Sequence, residues 1–159
     1  MTAYFDTSAL AAAYVTEAHS RRARQALQRQ KSIPFTPLHG LELRNAFELL
    51  VGRAVLSAAE RTALMAHLDE DRQEGRLVQT SVEWDAVFAK AGELSIAHTR
   101  KRLTRSLDLL HLASAVELGC RTFVSGDQRQ LKVARALRLR TIDIARPTRP
   151  AAGQLQSRS

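Results

Sequence analysis

The sequence is poor in the residues that form covalent cross-links, membrane spans and aromatic platforms. Cys120 is the only cysteine among 159 residues, so neither an intrachain disulfide nor a cysteine-based zinc cluster can form. No apolar run approaches the roughly 18 residues of a membrane span, and the N-terminal residues lack the basic and apolar segments of a secretory signal. One tryptophan and two tyrosines are too few for a platform on which bases stack. These absences favour a soluble, cytoplasmic protein, in which Cys120 is a small buried residue.

Positive charge predominates in the composition. Lys and Arg number 24 against 16 Asp and Glu, which gives a formal net charge of +8. Most of the basic residues are arginines, whose planar guanidinium group matches the oxygen geometry of phosphate. The excess indicates a polyanionic partner, either a nucleic acid or an acidic protein, although a solvated basic surface would give the same composition.

Short β-like runs alternate with longer helical segments, which predicts a parallel sheet covered by helices on both faces. The length suits one domain, residues 1–146, and the Pro-, Gly-, Ser- and Gln-rich residues 147–159 are predicted to form a disordered tail. Pro34 indicates an irregular or edge strand, and Thr7 or Ser8 is expected to cap a short first helix. The predicted strands are 2–5, 32–36, 77–80, 122–125 and 141–144. The later helices are predicted at about 19–30, 38–53, 57–74, 84–100, 107–118 and 128–137.

Four acidic residues fall where strands end or helices begin. Asp6 follows the first strand, Asp127 follows the fourth, and Asp108 opens a helix. Glu42 lies in the first turns of the helix after the second strand. Each of them alone has a structural explanation, as a turn, a cap or a helix N-terminal charge.

Taken together, the four acids predict a metal site, because the functional crevice of such a fold lies at the carboxyl ends of its strands. Carboxylates about 5 Å apart repel by roughly 3 kcal/mol per pair at an effective dielectric constant of 20. A protein that gathers several of them needs a cation or shared protons. Oxygen ligands favour Mg²⁺ or Mn²⁺ over zinc, and such ions support phosphoryl chemistry.

The segments YFDTSAL, LHGLELRNAF, RSLDLLHLASA and FVSGDQRQL surround the four acids. In order and spacing they resemble the motifs of PIN-domain ribonucleases, above all the toxins of VapBC-type toxin–antitoxin systems, from Tyr4 to about Ile144. The resemblance implies an α/β fold, a three-layer α/β/α sandwich with a five-stranded parallel sheet. It also implies cleavage of RNA with one or two Mg²⁺ or Mn²⁺ ions, homodimerisation and inhibition by a cognate antitoxin.

The resemblance also assigns roles to residues. The catalytic set would be Asp6, Glu42, Asp108 and Asp127. Within it, Asp6 and Asp108 would bind metal directly, Asp127 would lie near them, and Glu42 would bind directly or through water.

Two hydroxyl residues and one departure from the motif bear on the metal ions. Ser125 would orient a ligand or a water, and Thr7 would do the same unless it caps its helix. Gln128 and Arg129 stand where many relatives carry a further acid, which leaves a second ion open.

Two histidines and a basic segment lie close to these motifs. His111, one turn after Asp108, invites a metal or general-base role, but we favour a packed histidine. His39 falls near the predicted mouth of the site, where it would contact RNA. The basic segment is expected to bind RNA phosphates, with a solvated loop as the alternative. Its members are Arg100, Lys101, Arg102 and Arg105.

The helical pair within 38–68 is rich in apolar residues, which suits either an antitoxin groove, as in the resembling toxins, or ordinary core packing. These residues are Leu49, Leu50, Val51, Val55, Leu56, Leu64, Met65 and Leu68.

Two other functions compete with the nuclease hypothesis. One is a catalytically degenerate PIN-like protein that binds RNA or acts as a scaffold, although such a protein would be expected to lose part of the acidic set. The other is a phosphatase of the haloacid dehalogenase type with FDTSA as its nucleophile motif. That mechanism requires a second Asp two residues after Asp6, where Ser8 stands, which argues against the phosphatase function.

Overall fold

A computed structural model describes residues 3–146 of the chain, and the predicted tail at 147–159 lies outside them. Strands and helices alternate as the sequence predicts. The strands are β1 (Ala3–Phe5), β2 (Ile33–Phe35), β3 (Leu77–Gln79), β4 (Thr122–Ser125) and β5 (Arg140–Asp143). The helices are α1 (Thr7–Tyr14), α2 (Ser20–Gln28), α3 (Pro37–Gly52), α4 (Ala58–Gln73), α5 (Trp84–Leu94), α6 (Arg100–Arg102), α7 (Ser106–Glu117) and α8 (Gln128–Ala136).

The five described strands form three ladders in two sheets, so one continuous five-stranded sheet is not confirmed. β4 pairs in parallel with both β1 and β5, and β2 pairs in parallel with β3. The backbone of Ile33 donates to Arg76 and that of Phe35 accepts from Thr80, so both residues face β3. Pro34 therefore faces β1, and it has no N–H group to donate in that direction.

Successive strand residues point to opposite faces and supply two hydrophobic cores. Phe5 and Val124 pack on one face with α1 to α4, whereas Tyr4 and Phe123 pack on the other with α5, α7 and α8. The three layers predicted for the chain are therefore confirmed.

Most helix limits agree with the sequence patterns, and one segment differs from its prediction. Ser57 and Glu60 form the predicted capping box at the start of α4, with bonds of 2.7 and 3.1 Å. In the segment predicted as one helix, 84–100, the α-helix α5 ends at Leu94. A π-helical segment (Ser95–Thr99) follows it and leads directly into α6. It stops at Leu103, whose φ of 53° is left-handed. Within residues 3–146, no helix is long and apolar enough to cross a membrane.

The two cores predict a contrast between two phenylalanines. Phe47 is fully buried between α3 and the sheet, whereas Phe88 is 58% exposed. Phe47→Ala should lower the free energy of unfolding by about 3–5 kcal/mol. The matched control Phe88→Ala should change it by less than about 1 kcal/mol. Urea denaturation measures both, and equal losses would contradict this assignment of the core.

Candidate active site

Asp6 lies at the junction of β1 and α1 and is 4% exposed. Its backbone is extended, and its carboxylate accepts the amide N–H of Ala9 at 2.7 Å, so Asp6 is the N-cap of α1. The prediction that Thr7 or Ser8 caps this helix is therefore wrong, because Thr7 is already the first helical residue. The Ser8 hydroxyl turns back to the Asp6 carboxylate at 2.8 Å.

The charge of Asp6 is held by uncharged donors. Ser125, which the motif resemblance places beside a ligand, donates its hydroxyl to Oδ2 of Asp6 at 2.6 Å. Burial raises the pKa of Asp6, and the bond from Ser125, the electrostatic effect of His111 and the bonds from Ala9 and Ser8 offset only part of that effect. A carboxylate in such a setting would be strongly stabilised by a cation beside it.

Two polar side chains link Asp6 to Asp108. The Ser125 hydroxyl also lies 2.9 Å from Oε1 of Gln130, whose side chain is almost completely buried. The Gln130 amide donates to Oδ1 of Asp108 at 3.4 Å, and Asp108 also accepts the backbone N–H of Arg105 at 3.1 Å. Asp6 and Asp108 are therefore connected by polar contacts through Ser125 and Gln130, although they come from different layers of the fold.

The Glu42 carboxylate accepts hydrogen bonds from the side chains of Thr7 and His111. The Thr7 hydroxyl donates to Oε2 of Glu42 at 2.7 Å, and Nε2 of His111 hydrogen-bonds to the same oxygen. The Tyr4 hydroxyl lies 2.9 Å from Nδ1 of His111. Since the Glu42 carboxylate can only accept, Nε2 of His111 carries a proton and donates it to Oε2.

These contacts set the charge of Glu42. Partial burial would raise its pKa, but the bonds from His111 and Thr7 outweigh burial and hold the pKa below its usual range. The packed role predicted for His111 is incomplete, since this buried side chain also orients an acid of the candidate site.

His39 is completely buried, so its predicted contact with RNA at the mouth of the site is wrong. Its Nδ1 accepts the backbone N–H of Thr36 at 3.0 Å, and its Nε2 donates to the carbonyl oxygen of Phe5 at 2.8 Å. The ring thus bridges the ends of β2 and β1, where no ladder joins these two strands.

Asp127 is the N-cap of α8 and forms an ion pair. Its carboxylate accepts the backbone N–H of Arg129 at 2.7 Å and the guanidinium of the same residue at 2.7 Å. The hydrogen bond from Arg129 holds the pKa of Asp127 below its usual range, against a smaller opposing effect of burial.

The four predicted acids thus divide into two pairs. Asp6 and Asp108 share a chain of neutral groups, whereas Glu42 is engaged by His111 and Asp127 by Arg129. Within residues 3–146, no group of three or more His, Cys, Asp or Glu side chains is arranged to hold a metal ion. The hard oxygen donors of the first pair fit Mg²⁺ or Mn²⁺ in kind.

The basic residues predicted to contact RNA lie around the start of α7. Arg105 is exposed and directly precedes this helix, next to the carboxylate of Asp108. Arg100 and Lys101 are exposed on α6, where Arg102 hydrogen-bonds to His98 at 3.2 Å.

Sequence reasoning missed Gln130 and Tyr4 as members of this network. Gln130 stands three residues after Asp127, which is the spacing of a capping box. The sequence therefore did contain a signal that the Gln130 side chain makes a polar contact near the start of α8. Its side chain turns instead to Ser125 and Asp108. Tyr4 gave no signal, because its contact with His111 spans 107 positions of sequence.

His39 predicts a pH dependence of stability. Burial, with a contribution from His111, lowers the pKa of His39 to about 3, whereas an unfolded histidine titrates near 6.5. Between these values the unfolded chain binds the extra proton. The stability contributed by neutral His39 is therefore complete above about pH 6.5 and is lost as the pH falls towards 3.

Urea denaturation at about pH 7 and pH 5 tests this assignment. The free energy of unfolding of the wild-type chain should fall more over this interval than that of His39→Gln. Equal losses in the two proteins would contradict a buried, neutral imidazole.

Comparison with known proteins identifies the family. The family model described as PIN domain matches residues 3–136, which span β1 to the end of α8. No curated protein sequence matches the chain significantly.

Two solved structures share the fold. FitAcB from Neisseria gonorrhoeae superposes with a TM-score of 0.64 at 16% identity, covering 91% of this chain and 99% of that one. VapBC2 from Rickettsia felis, bound to a DNA fragment from its promoter, gives 0.60 at 16% identity, covering 90% and 98%. The family match covers most of the chain, and the chain belongs to the PIN domain family.

Proposed function

We propose that this chain is a divalent-metal-dependent endoribonuclease that acts as the toxin of a toxin–antitoxin pair. The observation that carries the proposal is the link between Asp6 and Asp108. A buried carboxylate whose hydrogen-bond donors are all neutral is connected to a second carboxylate through the side chains of Ser125 and Gln130. Such an arrangement is stabilised when a cation binds.

Asp6 and Asp108 would hold the cation, with Glu42 and Asp127 around it. A bound Mg²⁺ or Mn²⁺ ion activates water and neutralises the charge that develops on a phosphodiester. The side chains of the protein orient the acids that would surround the ion. Ser125 keeps the Asp6 carboxylate in place, and Thr7 and His111 fix Glu42 so that one of its oxygens faces away from their hydrogen bonds.

RNA is the proposed substrate because positive charge surrounds the acidic site. Arg105 lies beside Asp108, and Arg100 and Arg102 occupy the preceding helical segment. These side chains would bind the phosphates on either side of the cleaved bond. The net charge of +8 would raise the rate of encounter with a polyanion.

The metal-site assignment is tested with Asp6→Asn. Replacement of a residue that merely supports a ligand costs about 10–100-fold in metal affinity or activity, so loss of a ligand should reduce Mn²⁺-dependent RNA cleavage by more than about 100-fold. The fold should remain, as judged by circular dichroism. The exposed Asp85 in the first turn of α5 provides the control, since Asp85→Asn should cleave like the wild type.

Wild-type activity in purified Asp6→Asn would show that this residue is not a ligand. RNA binding without cleavage by the wild-type chain in Mn²⁺ would support the degenerate PIN-like alternative, in which the basic surface is retained for binding alone.

An apolar surface beside Glu42 supports the proposal of a protein partner. Leu41, Leu49 and Leu107 are 67, 48 and 48% exposed, and they line a cavity of about 450 Å³ that also reaches Thr7 and Glu42. An apolar patch next to a polar site is typical of a protein interface. We propose that an antitoxin covers it, in agreement with the shared fold of a VapBC protein.

The apolar residues of α3, α4 and their connection belong partly to the core and partly to the surface. Leu68 is in the core, and Leu50, Leu64 and Met65 pack against it. Leu49 on α3 and Val55 in the connection to α4 are exposed and would be available to a partner. We also propose a homodimer, which light scattering of the purified chain would detect.

Inducible expression tests the toxin proposal. Expression of the chain alone should arrest growth, and coexpression of the neighbouring upstream open reading frame should relieve the arrest. Asp6→Asn should not arrest growth in either case. Sequencing of cleaved RNA ends identifies the substrate, and unimpaired growth with abundant active wild-type protein would contradict a toxin.

A further inference from the structure

The candidate site contains a positive charge of its own. Arg129 follows Asp127 on α8 and binds both oxygens of its carboxylate, with Nε 3.1 Å from Oδ1 and Nη2 2.7 Å from Oδ2. This is a side-on guanidinium–carboxylate pair, one of the stronger ion-pair geometries. Asp127 is only partly exposed in it, so its charge is already compensated within the chain.

The charge of the Arg129 guanidinium also interacts with Asp108. The hydrogen bond and charge of Asp127 raise the pKa of Arg129, and the charge of Asp108 adds to this effect. Arg129 therefore lies within the electrostatic field of one of the two proposed metal ligands. It is permanently protonated at any pH at which the chain is folded.

Glu42 is restricted in a different way. Oε2 already accepts two hydrogen bonds, from Thr7 and His111. Only Oε1 remains for a cation or its water. Among the described residues, Asp6 and Asp108 are the two acids of this set that form no ion pair, although hydrogen bonds reach both carboxylates. Glu42 adds its Oε1.

Resting on the function proposed above, we propose that this site takes one divalent cation, held by Asp6 and Asp108, and that the guanidinium of Arg129 supplies the second positive charge. The bonds to Asp127 use Nε and Nη2, so the two donors of Nη1 remain for a phosphate oxygen. Asp127 is then a positioning residue, which fixes Arg129 against the substrate, rather than a metal ligand.

A count of bound ions tests this assignment without any measurement of activity. Mn²⁺ is titrated into the purified full-length chain without RNA, and free Mn²⁺ is followed by electron paramagnetic resonance. The wild-type chain should bind one ion. Arg129→Ala releases the Asp127 carboxylate, so a second and weaker ion should bind. Arg129→Lys keeps the charge and should bind one ion, and Lys132→Ala, which removes an exposed charge on the same helix, should also bind one.

RNA cleavage gives a second measurement. At the Mn²⁺ concentration that saturates the wild-type chain, Arg129→Ala should cleave at least about ten-fold more slowly, because one group that stabilises charge is missing. Its rate should rise again at higher Mn²⁺, where the second ion takes the place of the guanidinium. Arg129→Gln serves as an alternative if the alanine variant melts at a lower temperature than the control.

The outcomes separate this inference from the function on which it rests. Two ions on the wild-type chain, or one ion on both Arg129→Ala and Arg129→Gln, would overturn the role of Arg129 and leave the metal-dependent nuclease intact. No bound ion on any of the proteins would overturn the proposed metal dependence, and this inference with it.

Discussion

The buried carboxylate of Asp6 is the constraint on which the rest of the site depends. It caps α1, and so it fixes the direction in which the chain leaves β1. Its bond with Ser125 joins the ends of β1 and β4, and the position of α8 follows because Gln130 bonds to the same hydroxyl. Burial of a charge is costly without compensation, so this stable junction also favours the binding of a cation.

Separation of the two sheets serves the same site. Pro34 cannot donate towards β1, and the ring of His39 lies between Thr36 and Phe5 where a backbone bond would otherwise form. An imidazole inserted in this way holds two strand ends further apart than a direct N–H to carbonyl bond of about 2.9 Å. The chain can therefore seat Glu42, on the helix that follows β2, beside Thr7 on the helix that follows β1.

Local patterns in the sequence predicted the strands, most of the helices, the three layers and the ends of strands at which the acids lie. Those features depend on residue periodicity and on capping signals, as at Ser57. The sequence did not predict which acids would be paired. The contact of Tyr4 with His111 joins residues far apart in the chain. The pair of Arg129 with Asp127 is local, but sequence spacing alone does not fix the rotamer of an arginine. The single five-stranded sheet is not confirmed for a similar reason, because Pro34 acts only through the strand that it faces.

Electrostatics explains why a site of four acids would pair two of them internally. Close carboxylates repel by roughly 3 kcal/mol per pair, and four of them around one point would add six such terms before a cation arrived. The Arg129 guanidinium compensates Asp127, and hydrogen bonds from His111 and Thr7 stabilise Glu42, so the folded chain does not carry the full repulsion. Asp6 and Asp108 keep the remaining charge, which is the part that would select a hard divalent cation under the proposed function. An arrangement of this kind would let the chain fold before the metal binds.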